Sequence, residues 1–491
     1  MKAGNGFHRD PCRKRNCPEA FPPSGAVVHM IGICGTGMAA VAGLLLERGY
    51  RVRGSDTQAY PPMGDLLARL GIPVAIGYAA ENLAPDPDLI IIGNVIRATN
   101  PEAIAAMDRG LPCLSFPEAV SLLFLRERTS LVVAGTHGKT TTSGLLVSVL
   151  ESAGTDPGFL VGGVLSERGT GFHAGSPPWF VLEGDEYDTA FFDKGPKFLH
   201  YRPHGVIITS IEFDHADIYT DLAAVEDAFR RLVRIIPEDG VIVACADWPS
   251  VREVCGTARC RVVTYGESPD AAWRLSRYEV GADGTVLDAM TPDGSIEGLR
   301  IGLPGRHNAL NALGVLALAA RYGLSVDAVR AGLAAFAGVR RRQEVRGEVN
   351  GVTVIDDFAH HPTAVRETLD ALRAKYGKRR IVAVFEPRTN TSRRAVFQDA
   401  YPASFLSADR IHVREVPDPE KAPPEDRFSS RRLVLDLNAM GKAAIWHADA
   451  ASILEALLPD ARPGDVIAVL SNGAFEGIHD RILAGLKGEE G

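Results

Sequence analysis

Gly135-Thr136-His137-Gly138-Lys139-Thr140-Thr141 follows the apolar run Leu131 to Ala134 and opens a helical pattern, so two glycines, a lysine and hydroxyls fall at one strand-to-helix turn. Backbone N–H groups can curl around phosphate oxygens in such a turn, and the helix N-terminus adds partial positive charge. The lysine reaches outer phosphates, and the Thr140 hydroxyl can ligate Mg2+. A full-length phosphate loop would have glycine five residues before Gly138; Val133 stands there, so this is the shorter G-T-x-G-K-T form. Two further apolar runs end in acid: Phe180 to Leu182 enters Glu183-Gly184-Asp185-Glu186-Tyr187-Asp188, and Val206 to Ile211 enters Glu212-Phe213-Asp214-His215. A carboxylate from one strand end and an imidazole from the next suit a divalent cation beside phosphate. Glu183 and His215 are the candidates, while Asp185, Asp188 and Glu212 read equally well as helix caps or solvated loop. His307, Asn308 and Asn311 open a long Ala/Leu helix, where they either cap it or hydrogen-bond a purine edge.

Positioning these groups calls for parallel sheets. Short β-branched runs alternate with helical patterns along the chain, as in βαβ units, and in open parallel sheets ligands sit at the carboxyl ends of strands. A first unit runs Val27 to Ile33, turns through Cys34-Gly35-Thr36-Gly37, enters a helix from Met38 to Arg48, and continues through strands near Arg51 to Gly54, Leu89 to Ile92 and Leu111 to Phe116. Gly35-x-Gly37-x-x-Ala40 with Asp56 some twenty residues on fits a dinucleotide turn, and NAD, FAD or a UDP-sugar would all fit it. A second unit holds the phosphate loop. A third follows Arg340-Arg341-Arg342, with strands at Val352 to Ile355, Arg380 to Phe385, Arg410 to Val413 and Asp465 to Leu470. The length of 491 residues fits about three domains at roughly 150 residues each. A net charge of -8 argues against nucleic acid as a partner. Seven thinly spread cysteines suit a reducing cytoplasm; Cys12 and Cys17 share a spacing with Cys255 and Cys260, but no His/Cys cluster completes a zinc site. Gly25 to Leu46 is long and uncharged enough for a membrane span, yet five glycines break it into strand, turn and helix, so no membrane role is expected. Residues 1–24, basic and proline-bearing, read as a disordered extension.

With the glycine turn, G-T-H-G-K-T-T, Pro304-Gly305-Arg306-His307-Asn308 and Asp356-Asp357-Phe358-Ala359-His360-His361-Pro362 in this order, the chain resembles the Mur ligases from about Val27 to its C-terminus. These are ATP-dependent enzymes that form the amide bonds of the peptidoglycan peptide. The run Glu183 to Lys194, Lys197 to Pro203, Phe385 to Thr391 and Ser471-Asn472-Gly473 are similar to the branch that joins the recovered murein tripeptide, L-alanyl-γ-D-glutamyl-meso-diaminopimelate, to UDP-N-acetylmuramate. Tyr187 and Phe358 stand where the alanine-adding sibling usually has Ser and Tyr, and Gly184 where the family usually has Ala. The resemblance implies a three-domain α/β architecture. Residues 25–125 would be a Rossmann-like domain holding the UDP-sugar through Gly35, Thr36, Gly37, Met38 and Asp56. Residues 126–338 would be a P-loop ATPase-like domain holding ATP on Gly135 to Thr141, with adenine near His307, Asn308 and Asn311. Residues 339–491 would be a Rossmann-like domain binding peptide through Arg340, Arg341, His360, Arg388 and Asn390. Thr140, Glu183 and His215 would hold Mg2+, with Lys139, Glu183 and His215 as the catalytic set. No lysine lies between His215 and Pro237, so the carbamylated lysine of several relatives is not expected. The alternatives are the alanine-adding ligase, a dehydrogenase, which would leave the phosphate loop without purpose, and a non-catalytic nucleotide-binding regulator.

Overall fold

A computed structural model describes residues 15–488 and contains three large sheets in chain order and a two-stranded hairpin, Asp188–Ala190 with Asp193–Pro196. The first is fully parallel, with strands ordered Val74–Ile76, Arg51–Asp56, Val27–Ile31, Leu89–Ile92 and Cys113–Ser115. Leu89–Ile92 is buried at every position, as a strand covered on both faces must be. The turn after Val27–Ile31 feeds the helix Thr36–Glu47, which buries Met38 through Leu45 against the sheet.

The central sheet has ten strands. Its parallel middle places Thr129–Ala134 between Trp179–Gly184 and Pro203–Ile208, so the phosphate loop and both acidic strand ends emerge side by side. Val241–Cys245 and Arg261–Gly266 continue the parallel run. The antiparallel ribbon Trp273–Gly281, Gly284–Thr291, Gly294–Ile301 then extends it, an addition that the alternating helix and strand pattern did not anticipate. Helix Lys139–Ser152 is buried from its first residue through Leu150, packed under helices Arg306–Arg321 and Val326–Ala335.

The third sheet orders Glu344–Val349, Val352–Asp357, Val466–Leu470, Ile381–Phe385, Arg410–Arg414 and Ala443–His447, all parallel except the first. Residues 15–24, expected to be disordered, instead lie along the first domain. Asn16 bridges to Pro112, Arg15 pairs with Glu118, Tyr50 donates to the Pro22 carbonyl at 2.8 Å, and Phe21 packs edge-on to Tyr50. A short proline-rich segment can order when a neighbouring edge offers it backbone and carboxylate partners. Residues 1–14 of the expected extension, including Cys12, lie outside the described residues. The six described cysteines are free thiols. Among the described residues no helix is long and apolar enough to cross a membrane.

Candidate active site

The loop between Ala134 and Lys139 needs its glycines. Gly135 and Gly138 sit at φ +138° and +80°, conformations that side chains resist, and a Cβ on Gly138 would come 2.8 Å from Asn311 Oδ1. Asn311 thus rests against the loop; Asn308 donates to the Pro304 carbonyl at 2.8 Å and holds the start of its own helix. Thr136 and Glu212 exchange bonds, the Thr136 hydroxyl donating to the Glu212 carbonyl at 3.2 Å and accepting from its N–H at 2.9 Å. Thr141 is buried in the first helical turn.

Lys139 is buried, its ammonium donating to the Gly135 carbonyl at 2.7 Å and pairing with Glu186 at 3.1 Å. Burial lowers the lysine pKa, but Glu186, Asp185 and Glu183 together raise it above the ordinary value. Glu186 is itself buried, and although burial raises a carboxyl pKa, Lys139 and His215 hold this one down to about 2. The three expected metal ligands fall into two pairs. Thr140 donates its hydroxyl to Glu183 Oε1 at 2.9 Å, while His215 Nε2 lies 3.0 Å from Glu186 Oε1. Glu183 Oε2 accepts the Gly162 N–H at 2.7 Å, and desolvation followed by repulsion from Asp185 raises its pKa, the electrostatic state of a carboxylate short of positive charge. A hydroxyl and a carboxylate oxygen at that separation fit adjacent positions on a hard divalent cation.

The third domain closes over this centre. Arg341, at φ +62°, turns the chain so that it and Arg342 diverge: Arg341 donates to the Ser471 and Gly473 carbonyls at 2.7 and 2.8 Å, and Arg342 reaches Thr140 Oγ1 at 3.3 Å. Arg341 therefore supports the loop after Val466–Leu470, and Arg340 is exposed. Asn390 bonds Asp217 at 2.8 Å across the domain boundary. Arg388 lies over Gly473, where a Cβ would collide with its guanidinium; the nearby acid Glu386 is taken by Arg414 and Ser471, leaving Arg388 without an ion pair among the described residues. His360 donates to the Phe358 carbonyl at 3.0 Å and faces Asp214 at 3.8 Å.

Helix Pro362–Tyr376 makes two more cross-domain contacts. At its first turn Thr363 donates to Glu212 Oε1 at 3.1 Å, and Glu212 also takes the His137 Nε2–H at 2.8 Å. One turn later Glu367 approaches His307 and Arg306, each at 3.7 Å. His307 thus lies at the boundary with the third domain. His137, Glu212 and His361 could together ligate a metal by proximity. Both nitrogens of His361 are already committed, however, Nδ1 accepting the Thr363 N–H at 3.2 Å and Nε2 donating to the Phe213 carbonyl at 3.3 Å.

In the first domain Gly35, Thr36, Gly37 and Met38 form the turn and first helical residues. Asp56 is buried and accepts from Cys34 N–H at 2.8 Å, Thr57 N–H at 2.7 Å and the Tyr78 hydroxyl at 3.3 Å, so its carboxylate shapes the turn directly. Sequence reasoning passed over Glu186, Arg342 and Glu102. Glu186 lay within a recognised acidic run, and Arg342 was the third member of a recognised arginine run, but nothing in either run marks which residue turns inward.

Residues 27–128 match the Mur ligase family, catalytic domain; residues 133–319 the Mur ligase middle domain; and residues 341–473 the Mur ligase, glutamate ligase domain. The chain is 40% identical over 469 residues to the UDP-N-acetylmuramate–L-alanyl-γ-D-glutamyl-meso-2,6-diaminoheptandioate ligase of Escherichia coli K12, covering 94% of this chain and 98% of that one. It is 36% identical over 457 residues to the UDP-N-acetylmuramate–L-alanine ligase of Solidesulfovibrio magneticus, covering 91% and 95%. Among solved structures it is similar to a murein peptide ligase from Psychrobacter arcticus, with a TM-score of 0.70 and 33% identity over 95% of this chain and all of that one. Three family domains matched in order, one over each of the three large sheets, place the chain in the Mur ligase family.

Proposed function

We propose that this chain joins the lactyl carboxylate of UDP-N-acetylmuramate to the free amine of L-alanyl-γ-D-glutamyl-meso-diaminopimelate, converting ATP to ADP and phosphate, in the cytoplasm during peptidoglycan recycling. The observation that carries the reading is Thr140, on a phosphate-binding turn, in contact with Glu183 from the same domain and Arg342 from the next. A carboxylate is inert to an amine at neutral pH. Its oxygen first attacks the γ-phosphorus, releasing ADP and forming an acyl phosphate; the peptide amine then attacks the carbonyl carbon, and phosphate leaves. Lys139 and Arg342 offset negative charge on the transferred phosphoryl oxygens. Thr140, Glu183 and His215 would hold Mg2+, which supplies further charge compensation there when bound. The turn at Gly35 to Met38, with Asp56 beneath it, holds the UDP moiety. Arg388 and Asn390 approach the peptide from the third domain, and closure of that domain keeps water from the acyl phosphate.

The preference for tripeptide over alanine is supported by the relative from Escherichia coli and by the run Glu183 to Pro203. Phosphate release is the test, with ATP, Mg2+ and UDP-N-acetylmuramate supplied and either tripeptide or L-alanine added. Rapid release is expected with tripeptide and little with L-alanine. Efficient turnover of L-alanine alone would move the chain to the alanine-adding branch, and no release with any amine would favour a regulator. Glu183→Gln and His215→Ala should each shift the Mg2+ activation curve to higher concentration, and unchanged curves for both would remove the metal assignment.

A further inference from the structure

Helix Leu222–Ile235 starts under Asp221, whose side chain accepts the Ala224 N–H at 2.9 Å, and buries Val225, Phe229 and Leu232 on one side. The stripe Ala224, Asp227, Ala228, Arg231 lines a cavity of about 390 Å³. Its opposite walls are the hairpin of Asp188–Ala190 and Asp193–Pro196 and the segment Asp217 to Tyr219. Two alanines leave the space open. The wall toward the reaction centre is Tyr219, whose hydroxyl donates to the Glu186 carbonyl at 2.7 Å, and the rim meets the third domain where Asn390 bonds Asp217.

The cavity carries both signs of charge, and not all of it is spent. Lys194 pairs with Asp188 at 3.0 Å. Asp227 and Arg231 stand four residues apart with the acid first, the arrangement that favours an ion pair on a helix, yet among the described residues neither takes a hydrogen-bond or ion-pair partner. The Arg231 guanidinium is directed to the hairpin, where a Cβ on Gly195 would come 3.3 Å from Nη2. A free guanidinium and a free carboxylate facing one polar cavity suit a group that bears a carboxylate and an ammonium on the same carbon.

We propose that this cavity receives the far end of the peptide substrate, the amino-acid centre of the third residue's side chain, with Arg231 taking its carboxylate and Asp227 its ammonium. The inference rests on the reaction proposed above. Glu186, which pairs with Lys139, also receives the Tyr219 hydroxyl, so the cavity adjoins the phosphate loop through two residues, and an extended tripeptide spans about 10 Å at its backbone.

The test compares two peptides on the intact enzyme: L-alanyl-γ-D-glutamyl-meso-diaminopimelate, and the analogue with L-lysine third, which keeps the distal ammonium and lacks the distal carboxylate. Arg231→Ala should raise the KM of the first peptide about tenfold or more while leaving that of the lysine peptide, kcat and the KM of ATP unchanged. Asp227→Asn should raise the KM of both peptides. A purely structural role for Arg231 would shift both peptides equally, and that result, or unchanged KM values in both variants with wild-type melting curves, would overturn the subsite. If the wild type releases no phosphate with either peptide, the reaction itself is wrong and the subsite falls with it.

Discussion

The first and central sheets use one local device, a strand that enters a helix through a glycine turn, but they spend their carboxylates differently. Beside the first turn Asp56 accepts from two backbone N–H groups and Tyr78, and Glu102, fully buried, accepts from His29, Ser55, Asn82 and the Ala79 N–H. Beside the second, Glu183 and Glu186 face Thr140, Lys139 and His215, with Arg342 close behind. A carboxylate saturated by fixed donors sets backbone shape. One balanced by side-chain cations sits in a cluster whose charges can be redistributed when phosphate and metal arrive. The same local turn thus yields a cradle of fixed backbone shape in one domain and a charge-handling centre in the other.

The contrast is broken most severely by Lys139→Ala, which should lower kcat/KM for phosphate release about a thousandfold or more, roughly 4 kcal/mol of transition-state stabilisation. Wild-type turnover in that variant would erase the distinction. Glu102→Ala should act the opposite way, leaving the buried His29 and Ser55 and the half-buried Asn82 without their acceptor. A loss of about 3 kcal/mol in denaturant unfolding of the first domain is expected, with the KM of ATP unaltered. Should Glu102→Ala instead change ATP kinetics at unchanged stability, the two regions are not separable in this way.

Acid sharpens the comparison. Glu186 has an ordinary value of 4.5 and a folded value of about 2, so its contribution to stability is complete above pH 4.5 and is lost as pH falls toward 2. The acid limb of the Tm profile should therefore flatten in Glu186→Gln, and an unchanged limb would mean that the pairing with Lys139 and His215 adds nothing to folding. The smallest expected effect is Arg388→Ala, a several-fold rise in tripeptide KM at constant kcat. An unaltered KM would remove Arg388 from the peptide site and leave the rest standing.

Much of this was legible in the residues. Leu89 to Ile92 is a strand with those same bounds, and the phosphate loop lies at the strand-to-helix junction its glycines require. Local pattern suffices there because burial on both faces and positive φ are properties of adjacent residues. The ribbon from Trp273 to Ile301 escaped because its exposed positions blur the alternation that marks a strand. Pairings such as Thr140 with Arg342, or Glu212 with Thr363, join residues far apart in the chain, and no local periodicity encodes them. Nor does any local pattern show that Thr140 pairs with Glu183 and His215 with Glu186.

Helix Pro362–Tyr376 touches the central domain at Thr363 and again at Glu367, one turn further along. Arg342 at Thr140 and His361 at the Phe213 carbonyl join the same boundary, so the two domains are stitched together at several places rather than hung from one. Thr391 and Asn390, bonded to Ala216 and Asp217, add stitches from another loop of the same domain. Asp217 also forms part of the rim of the cavity lined by Arg231, so whatever loosens that stitch reshapes the mouth of the cavity as well.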